Sequence, residues 1–190
     1  MTSGWEVPVP EGVCGNWRVE TFSVSEDDSS RTMFRPGQFV PKGTYKRLMR
    51  GGTVVMSNTP MEIRTNWEIV RRARGHVLIN GLGLGMVVHQ ILKKPEVESL
   101  TVVEASEDVI SLVSPTYISD PRFSVIHADA FAYIPPKEIR FQAVWHDIWD
   151  YICADNLPEM AKLHRKYGRR TEWQGSWAKE ICLENRRRYG

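Results

Sequence analysis

The chain has 190 residues, 42% of them hydrophobic and 25% charged. That is the balance of one folded domain, and it excludes a disordered, collagen-like or heptad-repeat protein. Its 25 Lys and Arg against 23 Asp and Glu leave a formal charge of +2, which gives no strong pull towards nucleic acid or an anionic membrane.

Residues 1–75 are punctuated by turn residues: Pro8, Pro10, Gly12, Gly15, Pro36, Gly37, Pro41, Gly43, Gly51, Gly52 and Pro60. Between them Asn16–Ser23 alternates around Trp17, Val19 and Phe22, and Thr53–Met56 is a second β-prone run. The pattern predicts two or more hairpins, with a connecting helix over 61–74. The acidic stretch Glu26–Ser30 is expected to be a solvated loop. No basic-then-apolar leader opens the chain, so none is expected. The hairpin region is a candidate homo-oligomer surface.

From residue 76 the pattern changes to strands alternating with helices. His76–Asn80, Leu100–Glu104, Phe123–His127 and Phe141–His146 are apolar runs of strand length. Met86–Leu92 and the segment capped by Ser106 read as helices between them. This predicts βαβ units and a parallel sheet buried on both faces. The window His76–Leu92 lacks charge but holds Asn80, Gly81, Gly83, Gly85, His89 and Gln90, too polar for a membrane span. After the fourth strand, Asp155-Asn156-Leu-Pro158 starts a helix that Gly168 stops. Trp173, Trp177 and Ile181 then recur at four-residue spacing, which predicts a last helix ending in Arg186–Arg188 and no further strand. The Arg run reads as a solvated tail. Cys14, Cys153 and Cys182 form no C-x-x-C pair, which points to a reduced, cytoplasmic protein. The expected fold is α/β: a β-rich extension over 1–60, then a reduced Rossmann-like parallel sheet over 61–190.

The chemistry concentrates at the strand ends. Gly81-Leu-Gly83-Leu-Gly85 lies between a strand and a helix, where glycines allow a sharp turn and close approach of a ligand. Glu104 ends the next strand, placed to accept hydrogen bonds from both hydroxyls of a ribose. Asp129, beside Ala130, follows the third strand, placed to accept from an exocyclic adenine amine. Met86 stands where a dinucleotide fingerprint has its third glycine, and no Lys-Ser or Lys-Thr follows as in a Walker loop. The spacing therefore favours a nucleoside cofactor without a pyrophosphate. Asp147 and Asp150 follow the fourth strand as candidates to accept a proton or hold an amine. Trp145 and Trp149 are candidates to box a cation. His146 and Asp147 point to opposite faces of a strand, so no metal site is expected.

At these residues the chain resembles class I S-adenosylmethionine-dependent methyltransferases, and within them the spermidine-synthase-like branch. The similarity runs from about Ser57 to Asp150: Met61-Glu62 with Asn66-Trp67-Glu68 resembles an acidic helix, and Val77–Gly85 the glycine motif. Leu100–Glu104 resembles the ribose strand, Asp120–Arg122 through Asp129-Ala130 the adenine motif, and Asp147–Asp150 an Asp-x-x-Asp motif. The resemblance implies Gly81, Gly83, Gly85, Glu104, Asp129 and Ala130 as contacts to S-adenosylmethionine or its decarboxylated form. It implies Asp147, with Asp150, as the groups acting on a small-molecule acceptor. Methyl transfer is the expected activity. Leu84 replaces the acid before the last glycine of polyamine-synthesising members, and Tyr151 the proline after the second Asp, which leaves aminopropyl transfer as the alternative. A binding or assembly protein without catalysis is the other alternative. With the last three strands of the fold expected to be missing, a sheet of order 3-2-1-4 results, with the fourth strand as a candidate edge.

Overall fold

Turn chemistry and alternation build the first layer. In the computed structural model, which describes residues 5–32 and 39–189, β1 (Gly12–Cys14), β2 (Trp17–Val24), β3 (Gly43–Arg50) and β4 (Thr53–Ser57) form one antiparallel sheet in sequence order. Pro36 and Gly37 lie outside the described residues. Val19 and Leu48 pair across β2 and β3, and both are buried. Lys46, Arg47 and Arg50 interrupt the apolar pattern of β3, which is why this strand was not expected.

The acidic stretch is a correction. Glu26–Ser30 is not loop but most of helix α1 (Glu26–Thr32). Ser25 Oγ accepts from the Asp28 amide at 3.1 Å, and the Asp28 carboxylate accepts from the Ser25 hydroxyl at 2.7 Å. This reciprocal cap satisfies amides that the first turn leaves without partners, and three acidic residues suit the positive end of a helix.

The second layer is a five-stranded parallel sheet. β5 (Gly75–Asn80), β6 (Val97–Glu104), β7 (Phe123–His127), β8 (Phe141–His146) and β9 (Thr171–Ser176) lie in the order β7-β6-β5-β8-β9. Helices α2 (Pro60–Arg72), α3 (Met86–Leu92), α4 (Glu107–Val113), α5 (Leu157–Tyr167) and α6 (Lys179–Tyr189) connect and cover it. Alternation splits the core between the faces. Val77, Ile79, Leu100 and Val102 pack with Ile69, Ile91 and Val109 on one side. Leu78, Val103 and Val144 pack with Leu163 and Tyr167 of α5 on the other. The second face is covered over β5 and β8, whereas at β7 Ser124 is exposed beside Thr101.

β9 overturns the expectation of a helix from Trp173. Thr171–Ser176 pairs in parallel with β8, so β8 is internal and the edge moves to β9. The four-residue spacing of the tryptophans has a different cause. Trp173 stacks on Trp145 across the strands, 6.1 Å between centroids and 9° between planes. Gly175 sits where a Cβ would press on both rings. Ala178 at φ +52° then breaks the chain direction before α6 starts at Lys179.

The antiparallel sheet docks on the parallel layer. β1 and β2 pack against α4, where the Cys14 thiol donates to Asp108 at 3.3 Å. Val19, Leu48 and Met56 belong to the same apolar core as β5 and α3. Among the described residues no helix is long and apolar enough to cross a membrane.

Candidate functional site

β6 and β8 flank β5 and leave it in opposite directions along the sheet. Such a switch point opens a crevice at the carboxyl ends of the strands. Here it is a cavity of about 540 Å³. Its floor is Gly81 and Gly83 after β5, Glu104 to Ser106 after β6, Ala128 to Phe131 after β7, and Asp147 to Asp150 after β8. α2 contributes Glu62, and the antiparallel sheet supplies a roof of Trp17, Leu48, Arg50, Val55 and Met56.

The glycines of the loop adopt φ of +100° (Gly81), +51° (Gly83) and +75° (Gly85), a region costly for any residue with a Cβ. A Cβ on Gly81 would overlap the carbonyl oxygen of Asp147, so this glycine lets the ends of β5 and β8 touch. At Gly83 a Cβ would lie 2.7 Å from Met56 Sδ, the atom that accepts from the Leu84 amide at 3.3 Å. Gly85 departs from its expected role. It packs against Tyr117 and Val113 and accepts the Tyr117 hydroxyl at 3.0 Å. It shapes the start of α3 and does not line the cavity.

The carboxylates differ in what already holds them. Glu104 Oε2 accepts from the Leu82 amide and Oε1 from the Ser106 amide, both at 2.8 Å. Each oxygen keeps a lone pair for a hydroxyl donor. Asp129 Oδ1 accepts from the amides of Phe131 (2.6 Å) and Ala132 (3.1 Å), which fixes the turn after β7 and places Ala130 on the wall. Asp147 is tied to β5 through its amide, which donates to the Asn80 carbonyl at 2.8 Å. Burial, and then the neighbouring Glu62 and Glu104 charges, push its carboxyl well above the usual range. Asp150 is paired with Arg50, whose Cζ lies 5.4 Å from the Trp17 ring centroid.

Glu62 was not among the expected site residues. It is 7% exposed, and its Oε2 is buried without a hydrogen-bond partner. Burial pushes its pKa up to about 7, opposed in part by the Trp177 indole. A signal existed in the sequence: Glu62, Asn66 and Ile69 share one helical face, and that face is the buried one. Crowding of carboxyls disfavours their ionised forms, and a cation beside them favours those forms.

The tryptophans divide. Trp149 lines the cavity, its indole donating to Glu159 at 2.8 Å. Trp145 does not: it is buried on Trp173 and donates to Asn66 at 3.0 Å, so it packs core and boxes no cation. His146 faces away from Asp147. Its Nδ1 lies 2.8 Å from Asn80 Nδ2 and its Nε2 3.3 Å from Gln174 Oε1, and burial pushes its pKa down to about 3. It is a neutral, hydrogen-bonded core residue. Among the described residues no three His, Cys, Asp or Glu side chains are grouped as metal ligands.

No protein-family model matches the chain. Two curated proteins of Ralstonia nicotianae (strain ATCC BAA-1114 / GMI1000), polyamine aminopropyltransferases 2 and 1, are each 42% identical to it over 92 residues. The match takes in 44% of this chain but 18% and 17% of the relatives, so the chain spans under one fifth of their length. Among solved structures, the [4+2]-cyclase SpnF aligns with a TM-score of 0.49 at 16% identity, covering 63% of this chain and 46% of that one. The 23S rRNA methyltransferase ErmE aligns with a TM-score of 0.48 at 17% identity, covering 60% and 44%. The N-methyltransferase NodS from Bradyrhizobium japonicum WM9, in complex with S-adenosyl-L-homocysteine, aligns with a TM-score of 0.46 at 13% identity, covering 59% and 57%.

Proposed function

We propose that the chain binds S-adenosylmethionine and transfers its methyl group to a small-molecule acceptor. The observation that carries this reading is the convergence of four strand ends on one cavity, with Glu104 and Asp129 beside the glycine turn. The residues present fit the cofactor's nucleoside half. Glu104 offers a lone pair on each oxygen to the ribose hydroxyls, and Asp129 stands one strand further along for the adenine amine. Gly81 and Gly83 keep the floor free of side chains where the 5′ arm would cross towards β8.

S-adenosylmethionine supplies an electrophilic methyl carbon on a sulfonium. The protein's part in such a displacement is alignment and exclusion of water. Asp147, at the end of β8, would accept the proton that the acceptor loses as its bond to the methyl carbon replaces that carbon's bond to sulfur and the thioether leaves. Glu62 and Asp147 together place negative charge near the sulfonium and any ammonium group. Trp17, Leu48 and Met56 close the site from above.

Aminopropyl transfer is the second reading. It is supported by the 42% identity to the two polyamine aminopropyltransferases and by the excess of carboxylates on the wall, which suits amines. Calorimetric titration with S-adenosylmethionine, S-adenosylhomocysteine and the decarboxylated cofactor tests the choice. The first two binding tightly, and losing that binding in Glu104→Ala, is the result expected. Preference for the decarboxylated form promotes the second reading. No binding by the folded protein sinks both. Asp147→Asn is expected to bind cofactor and lose turnover; a variant as active as wild type removes Asp147 from the mechanism.

A further inference from the structure

Arg50 is the only basic side chain on the described cavity wall; the other charged groups are Glu62, Glu104, Asp129, Asp147 and Asp150. The roof delivers it. Arg50 ends β3, just before the Gly51-Gly52 turn, and reaches across to the loop after β8. Asp150 accepts from Nη2, and the Trp17 ring lies beneath the guanidinium. Nε and Nη1 donate to no described residue and the side chain is 52% exposed, so part of the guanidinium is open to a ligand in the cavity it lines. A guanidinium held in place by a carboxylate and an aromatic ring loses little freedom on gaining a second partner.

The order of strands places this group relative to a bound nucleoside. Glu104 and Asp129 follow β6 and β7, on one side of β5, while Asp150 follows β8 on the other. A nucleoside seated at Glu104 and Asp129 sends its 5′ arm over Gly81 towards β8, and so towards Arg50. In S-adenosylmethionine that arm ends in an ammonium and a carboxylate. The sulfonium and ammonium find complementary charge in Asp147 and Glu62, and the carboxylate finds it at Arg50 alone. We propose that Arg50 reads the α-carboxylate of the cofactor and makes the site select S-adenosylmethionine over its decarboxylated form.

This assignment rests on the nucleoside reading above and decides between its two activities. A ligand without the carboxylate gains nothing from Arg50 and brings its extra net positive charge close to a guanidinium. A charge-assisted, forked contact is worth roughly 10- to 100-fold in affinity.

The test is calorimetry on the full chain, wild type, Arg50→Gln and Arg50→Lys, with three probes: S-adenosylmethionine, decarboxylated S-adenosylmethionine and 5′-methylthioadenosine. The last shares the nucleoside and lacks the amino-acid end. Wild type is expected to prefer the first over the second by about tenfold or more. Arg50→Gln should lose roughly 10- to 100-fold for S-adenosylmethionine alone, with methylthioadenosine unchanged and the decarboxylated form unchanged or tighter. Arg50→Lys, which keeps the charge and loses the fork, should retain part of the preference. Equal weakening of all three probes in Arg50→Gln, no weakening, or a wild-type preference for the decarboxylated form overturns the assignment. Failure of wild type to bind even methylthioadenosine is a different result: it removes the nucleoside reading, and Arg50's role with it.

Discussion

On the β6 side of the cavity, Glu104 receives two backbone amides at 2.8 Å. On the β8 side, Glu62 keeps an oxygen with no donor, and Asp147 is pushed well above the usual carboxylate range. Both regions are lined with acids, yet one is hydrogen-bonded in advance and the other is left for a proton or a ligand. Glu104 organises the loop that holds it. Glu62 and Asp147 cost the fold stability when they ionise.

The contrast breaks most severely at the point where the two sides touch. Gly81→Ala forces a Cβ into the Asp147 carbonyl at φ +100°. It should cost about 4 kcal/mol or prevent folding, as read by denaturant unfolding; a near-neutral result would mean that β5 and β8 are not locked here.

Glu62→Gln addresses the β8 side directly. The pKa of Glu62 is raised from 4.5 to about 7. The folded state therefore holds the extra proton, and stability falls as pH climbs from about 4.5 through 7. Removing the charge should make the protein more stable by about 3 kcal/mol at pH 8, with little gain at pH 4.5. Parallel pH dependences for the two proteins would place Glu62 in water. Next comes Glu104→Ala, which frees the Leu82 and Ser106 amides and should lower nucleoside affinity roughly 100-fold. Unchanged affinity would make Glu104 a loop brace alone. Met56→Leu keeps the volume of the roof but removes the acceptor for the Leu84 amide, and should cost under about 1 kcal/mol in thermal unfolding.

What the sequence made legible follows from burial on two sides. β5 and β8 are near-continuous apolar runs because both their faces are covered, β6 and β7 keep shorter apolar stretches, and the glycine turn and the acids at the strand ends are tied to them by fixed offsets. β9 was hidden because an edge strand needs fewer apolar residues. In Thr171–Ser176 only Trp173 is large and apolar, and its spacing to Trp177 imitates a helix. α1 was hidden by its charge, although Ser25 and Asp28 carry the spacing of a capping box. The roof was out of reach: Trp17, Arg50 and Met56 are far from the strand ends in sequence, and only tertiary packing brings them over the cavity. Glu62 escaped because a glutamate in the first turn of a helix usually faces solvent.

A cavity whose floor and roof belong to different sheets has a thermodynamic consequence. A ligand touching both is linked to their docking, and the linkage is reciprocal. Whatever affinity it draws from Trp17, Leu48 and Met56 returns as resistance of the antiparallel sheet to peeling away. Saturation should therefore slow amide exchange in β2 and β3, strands that contain none of the acids on the cavity wall. Substitutions on the outer face of that sheet that loosen its docking should weaken binding without touching the ligand. Affinity and architecture here are one equilibrium, observed from its two ends.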